Sequence, residues 1–207
     1  MPTADPEPPS LELLLETDDD AFGGEPDDGP RGSWRPGRAF LLDWARHALG
    51  ATLEADAPFA RAELSVRLVG EESMRALNRG WRDRDAPTNV LSFPSGLPVL
   101  TGGDAGECGL LVLGDLALCP SVIAAEARAQ GKRPSDHWAH LVVHGVLHLR
   151  GLDHEERDEA LIMETLETRL LSARDRPDPY AFVADAGLRT AVRADAAGSG
   201  PADASPP

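Results

Sequence analysis

The stretch His144-Gly-Val-Leu-His148-Leu-Arg-Gly151-Leu-Asp-His154 constrains this chain more than any other part of it. Residues Ser135 to Leu149 read as an amphipathic helix, and a spacing of four puts His144 and His148 on one face, about 40° apart. Gly151 lets the chain leave the helix, because glycine tolerates the left-handed conformation that ends helices. The turn then brings His154 back toward the other two rings. Three neutral imidazoles converging in this way can hold one divalent ion and leave a coordination position open. Zinc is the ion that suits them, since a catalytic zinc keeps three protein ligands and an open fourth position.

The spacing His-x3-His-x2-Gly-x2-His is that of metzincin-type zinc proteases. Those enzymes carry a glutamate directly after the first histidine, where it acts as general base. Here that residue is Gly145, which has no side chain to take a proton. The sequence therefore describes a metal site without the proteolytic base. A metallopeptidase whose base is displaced to Glu155 or Glu156 stays open as an alternative.

With 207 residues, 42% of them hydrophobic, the chain suits one domain with a real core. It has neither a run of about 18 apolar residues nor a basic, apolar leader, so the expected location is the cytoplasm. Cys108 and Cys119 lack metal-ligand spacing and read as free thiols, Cys119 buried beside a strand and Cys108 on a loop. The net charge is −15, which suits poorly a partner with an anionic backbone. Residues 1–30, however, hold ten acids and no Lys or Arg, leaving −5 for the rest. Arg75, Arg79, Arg82 and Arg84 cluster together and offer planar forks for phosphate.

Along the chain, residues 1–35 read as an acidic disordered tail, 36–185 as the folded domain and 186–207 as a second disordered tail. Leu11, Leu13, Leu14 and Leu15 could form a docking turn, but the flanking acids favour disorder. Helices are expected at Arg38–Leu49, at Glu71–Arg79 (ended by Gly80), at Pro120–Gln130, at Ser135–Leu149 and at Glu156–Ala173. The last of these should turn Leu161, Ile162, Leu166 and Leu170 inward. Strands are expected at Glu63–Val69, Asn89–Phe93 and Leu110–Leu118, with a Gly- and Pro-rich loop at Ser95–Gly109. His140 continues the helical series one turn before His144 and reads as a core residue or one that supports a ligand. Asp153 is placed to orient an imidazole N–H or to cap the next helix. Asp115 is equally well a supporting carboxylate or a turn residue. His47 and His137 read as surface residues, and position 150 as facing solvent or substrate.

The pattern H-G-x-L-H-L-x-G-x-D-H resembles the YbeY family of bacterial endoribonucleases. Four other stretches match in the same order: Leu77-Asn78-Arg79-Gly80-Trp81-Arg82, Pro87 to Pro94 (Pro-Thr-Asn-Val-Leu-Ser-Phe-Pro), Leu113-Gly114-Asp115 and Asp178-Pro179-Tyr180. The resemblance spans about Phe40 to Phe182. It implies an α+β single domain in which a small mixed β-sheet is packed by about five helices, with the three-histidine site on a helix and the turn after it. It also implies a zinc-dependent, single-strand-specific endoribonuclease acting in ribosomal RNA maturation and ribosome quality control. One Zn2+ per chain would sit on His144, His148 and His154. Arg82 would help the chemistry, and Arg79, Arg82 and Arg84 would hold substrate. Its partners would be ribosomal RNA and ribosomal particles or proteins, with no membrane and no DNA. Cleavage through an activated water and cleavage through the ribose 2′-OH both remain open. So does a non-catalytic ribosome assembly factor with a structural zinc.

Overall fold

The computed structural model describes residues 9–22, 34–53, 59–100, 109–152 and 156–181. Four strands, β1 (Ser10–Thr17), β2 (Phe59–Leu68), β3 (Val90–Pro94) and β4 (Gly109–Leu118), form one sheet in the order β1-β2-β4-β3. The first, second and fourth run parallel, and β3 is antiparallel to β4. The described residues also form five helices, α1 (Arg38–Gly50), α2 (Glu71–Arg82), α3 (Pro120–Ala129), α4 (Pro134–Leu149) and α5 (Arg157–Ser172). This is the α+β domain that the sequence implies.

One strand was not expected. Residues 10–17 lie in the segment read as a disordered tail, yet they pair in parallel with β2, Leu11 against Ala62 and Leu13 against Leu64. Leu11 and Leu13 are buried and Leu15 packs against the same core, so the leucines alternate as a half-buried strand requires. The acids that argued for disorder occupy positions where they meet arginines. Glu12 pairs with Arg61 at 3.1 Å, and Asp18 with Arg67 at 2.9 Å. Charge on an edge strand is ordinary protection against unwanted pairing. The folded domain thus begins before residue 36; residues 1–8 and 182–207 lie outside the described residues.

The two faces of the sheet carry different helices. Val90, Leu116 and Leu118 share a core with α1, α4 and α5, whereas Leu91, Ala117 and Cys119 pack with Val69 and Met74 beneath α2. Cys119 is a free, buried thiol at the start of α3, as expected; Cys108 lies outside the described residues. Helix α4 is buried along most of its length, from Asp136 to Leu149. It approaches the sheet at Gly145, where a Cβ would sit 2.8 Å from Leu116 Cδ2. Ser92 of β3 donates its hydroxyl to the Gly145 carbonyl at 3.2 Å. A second glycine is required by backbone: Gly114 has φ +125°, and a Cβ there would lie 2.2 Å from the Phe93 carbonyl oxygen.

Several local expectations need correction. Gly80 does not end α2; the helix runs to Arg82 and stops at Asp83, which adopts φ 54° while its N–H bonds to the Asn78 carbonyl. Asp is one of the few residues that takes this conformation readily. Leu161 and Ile162 on α5 are 64% and 62% exposed, and the inward face is Met163, Glu167, Leu170 and Leu171. His137 is not on the surface: it is 3% exposed, its Nε2 2.8 Å from Glu126 of α3. His47 is half-buried with Nε2 3.0 Å from the Leu170 carbonyl. Arg150 is half-buried, its Nε donating to Thr52 Oγ1 at 3.2 Å. Asp115 is exposed on the face of the sheet away from α4, since its neighbour Leu116 faces that helix. It supports no ligand on α4.

Two substitutions test this architecture. Leu13→Ala should lower stability by about 2–5 kcal/mol, the usual range for a truncated core leucine, and a thermal melt identical to the parent would return β1 to a disordered tail. Gly145→Ala should cost about 1–3 kcal/mol through overpacking. Adding Leu116→Val should restore part of that loss, because it removes the methyl group in the way.

Candidate active site

The site is built on the last two turns of α4. His144 and His148 stand one turn apart, and their Nε2 atoms approach to 3.2 Å. His144 uses its other nitrogen, Nδ1, on the Glu167 carboxylate oxygen Oε1 at 2.8 Å. A carboxylate only accepts, so the proton of His144 sits on Nδ1 and its Nε2 keeps a lone pair. Two ligands of a tetrahedral ion at about 2.0–2.1 Å lie about 3.3–3.4 Å apart. The Nε2 pair has that separation, and the donor set suits a divalent ion. Gly151 has φ +84° and turns the chain out of the helix. Asp153 and His154 lie outside the described residues.

Glu167 is the residue that sequence reasoning missed. It projects from α5 and is fully buried. Its Oε2 lies 3.0 Å from His140 Nε2 and also accepts from the Tyr180 hydroxyl. Burial alone would raise its pKa, but hydrogen bonds from His140 and His144 outweigh this and hold it well below the usual carboxylate range. Burial lowers the pKa of His140, so that ring is neutral at pH 7. Burial, and then the Glu167 charge, push the Tyr180 hydroxyl above its ordinary value. His140, His144 and Glu167 bring potential ligand atoms within 4.8 Å of one another, so the described residues contain a three-residue group able to hold a metal ion. A charged residue on an otherwise apolar inward stripe was the available signal, and the misassigned face of α5 concealed it.

The residues matched as motifs have definite roles in the fold, and one of them, Ser92, reaches α4 beside His144. Asn89 donates to the Glu126 carboxylate at 2.9 Å, and Ser92 holds the Gly145 carbonyl. Asn78, buried in α2, donates to the Ala86 carbonyl at 2.7 Å and so ties down the loop that leads into β3. Trp81 is 71% exposed, its ring 5.1 Å edge-on from Phe93. Arg82 and Arg84 are exposed beside it. Arg79 is also exposed but lies 3.7 Å from Asp85, which Arg75 grips with two hydrogen bonds. The arginines therefore gather where α2 meets β3, and β3 in turn touches α4 at Gly145. None of the arginines makes a direct contact with His144 or His148 among the described residues.

No helix among the described residues is long and apolar enough to cross a membrane. A family model described as Endoribonuclease YbeY matches residues 38–175. The Endoribonuclease YbeY of Halorhodospira halophila is 53% identical over 118 residues, 57% of this chain and 74% of that protein. The protein of the same name from Alcanivorax borkumensis is 47% identical over 145 residues, 70% of this chain and 78% of its own. That of Alkalilimnicola ehrlichii is 48% identical over 151 residues, covering 72% and 86% respectively. The match takes in α1 to α5, the paired histidines of α4 and the arginines that end α2, and on that extent this chain belongs to the Endoribonuclease YbeY family.

Proposed function

We propose that this chain is a zinc-dependent endoribonuclease that cuts single-stranded segments of ribosomal RNA in the cytoplasm, during maturation and quality control of ribosomal particles. The observation that carries this reading is the 3.2 Å approach of the Nε2 atoms of His144 and His148, with the far nitrogen of His144 bound to a buried carboxylate. That arrangement is typical of histidines that ligate a metal. His144, His148 and His154 would hold the ion, with Asp153 and His140 supporting them. Zn2+, one per chain, suits three imidazoles. When bound, the ion supplies a Lewis acid against the charge that builds on phosphate oxygens.

The chain's own groups account for the rest of the reading. Arg82 is assigned to the scissile phosphate, where a guanidinium fork stabilises equatorial oxygens. Arg79 and Arg84 are assigned to flanking phosphates. Single-stranded RNA is the favoured substrate because its unstacked bases can lie on exposed aromatic rings, and Trp81 offers one beside these arginines. A metallopeptidase gains no support from position 145, where Leu116 fills the place of the usual general base; of the displaced candidates, Glu155 lies outside the described residues and Glu156 is exposed. A structural zinc in a non-catalytic assembly factor would leave Arg82 without a task.

The reading is tested by zinc content and by cleavage of single-stranded ribosomal RNA, measured on the parent chain, His148→Ala and Arg82→Glu. About one zinc per chain is expected in the parent. His148→Ala should lose metal and cleavage together while remaining folded, and Arg82→Glu should keep its zinc but lose at least about 10²-fold in cleavage, the scale of one lost charge-stabilising donor. Zinc bound by a parent chain that cleaves no RNA would move the assignment to a structural metal.

A further inference from the structure

Glu167 sits where a leucine would serve the packing of α5, and a carboxylate is kept there against a large desolvation penalty. Its hydrogen bonds explain what it does for the site. Oε1 takes the proton of His144 Nδ1; Oε2 takes those of His140 Nε2 and of the Tyr180 hydroxyl. With the His140 proton on Nε2, the lone pair of that ring is on Nδ1, which is buried and has no hydrogen-bond partner. His140 therefore has no electron pair to offer beside Glu167. The carboxylate lies 2.8 and 3.0 Å from the two rings, the distances of N–H···O bonds and shorter than the spacing of two ligands on one tetrahedral ion.

Tyr180 is itself held. Asp178 accepts from the Tyr180 backbone N–H at 2.9 Å and from the Oγ1 of Thr168, the residue after Glu167 on α5, at 3.3 Å. The Tyr180 ring stands edge-on to His140, with centroids 5.5 Å apart. We propose that Glu167 is a positioning residue for the metal ligand His144. Clamped by His140 and by the Asp178-Pro179-Tyr180 segment, it fixes the tautomer and plane of that ring, so this segment sets how tightly the ion is held. The proposal rests on His144 and His148 being ligands. It makes His140, His144 and Glu167 an orienting network in place of a second metal site.

The experiment is competition for Zn2+ between a chromophoric chelator and the full chain, with thermal melts of the metal-free proteins alongside. Glu167→Gln keeps the shape but must present its NH2 group to an N–H donor, so zinc should bind about 10–100-fold more weakly. Tyr180→Phe removes one hydrogen bond and should weaken zinc about fivefold, with the metal-free melt almost unchanged. His140→Gln should retain zinc, whereas His148→Ala should not. Zinc held equally tightly by Glu167→Gln and Tyr180→Phe overturns the proposal alone. So does complete loss of zinc in His140→Gln, which would make that ring a ligand. A parent chain that binds no zinc removes the metal reading beneath it. Should Glu167→Gln fail to fold, Tyr180→Phe decides the matter.

Discussion

The close approach of α4 to the sheet at Gly145 is the constraint on which the rest depends. Because residue 145 has no side chain, Leu116 fills the space and Ser92 reaches the helix backbone. That contact sets the height of α4 above β3 and β4, and with it the position of His144 on the adjoining residue. The same absence removes the glutamate that a zinc protease needs at this place. One residue therefore bears on packing and chemistry together: what seats the helix also leaves no general base at the position a zinc protease uses.

Around that seat, the site is ordered by proton placement as much as by proximity. A carboxylate buried between two imidazoles has to be satisfied by their N–H groups, and this dictates which nitrogen of each ring carries the proton. For His144 the unprotonated nitrogen is the one facing His148, the useful outcome for a metal. For His140 it is the far one. Helix α5 and the segment after it thus reach the site through Nδ1 of His144 and through His140.

Much of this was legible in the sequence, for identifiable reasons. The bounds of α1, α3 and α4 follow from periodicity, Pro at first-turn positions and the exit at Gly151. The His144–His148 face follows from helical geometry alone. What misled was composition read without pairing. The acids around Leu11 and Leu13 looked like those of a soluble tail, yet Glu12 and Asp18 meet Arg61 and Arg67 on the neighbouring strand. Those arginines lie some fifty positions away, out of reach of any local window. On α5, Leu161 and Ile162 drew the apolar stripe to the wrong side. The true inward face carries a glutamate, which no hydrophobic pattern can propose without knowing that two imidazoles wait opposite.

The charge balance that seemed to oppose an anionic substrate also resolves through pairing. Arg61 and Arg67 are paired with Glu12 and Asp18, and Arg133 and Arg176 with Asp136. At the end of α2, Asp85 engages Arg75 and Arg79, leaving Arg82 and Arg84 exposed next to Trp81. Net charge acts on encounter at long range and is screened within about 10 Å at ordinary ionic strength. Local groups decide what is held once contact is made. A strongly acidic chain can therefore present a small cationic and aromatic patch to a phosphate backbone where arginines such as Arg82 and Arg84 stay exposed beside Trp81.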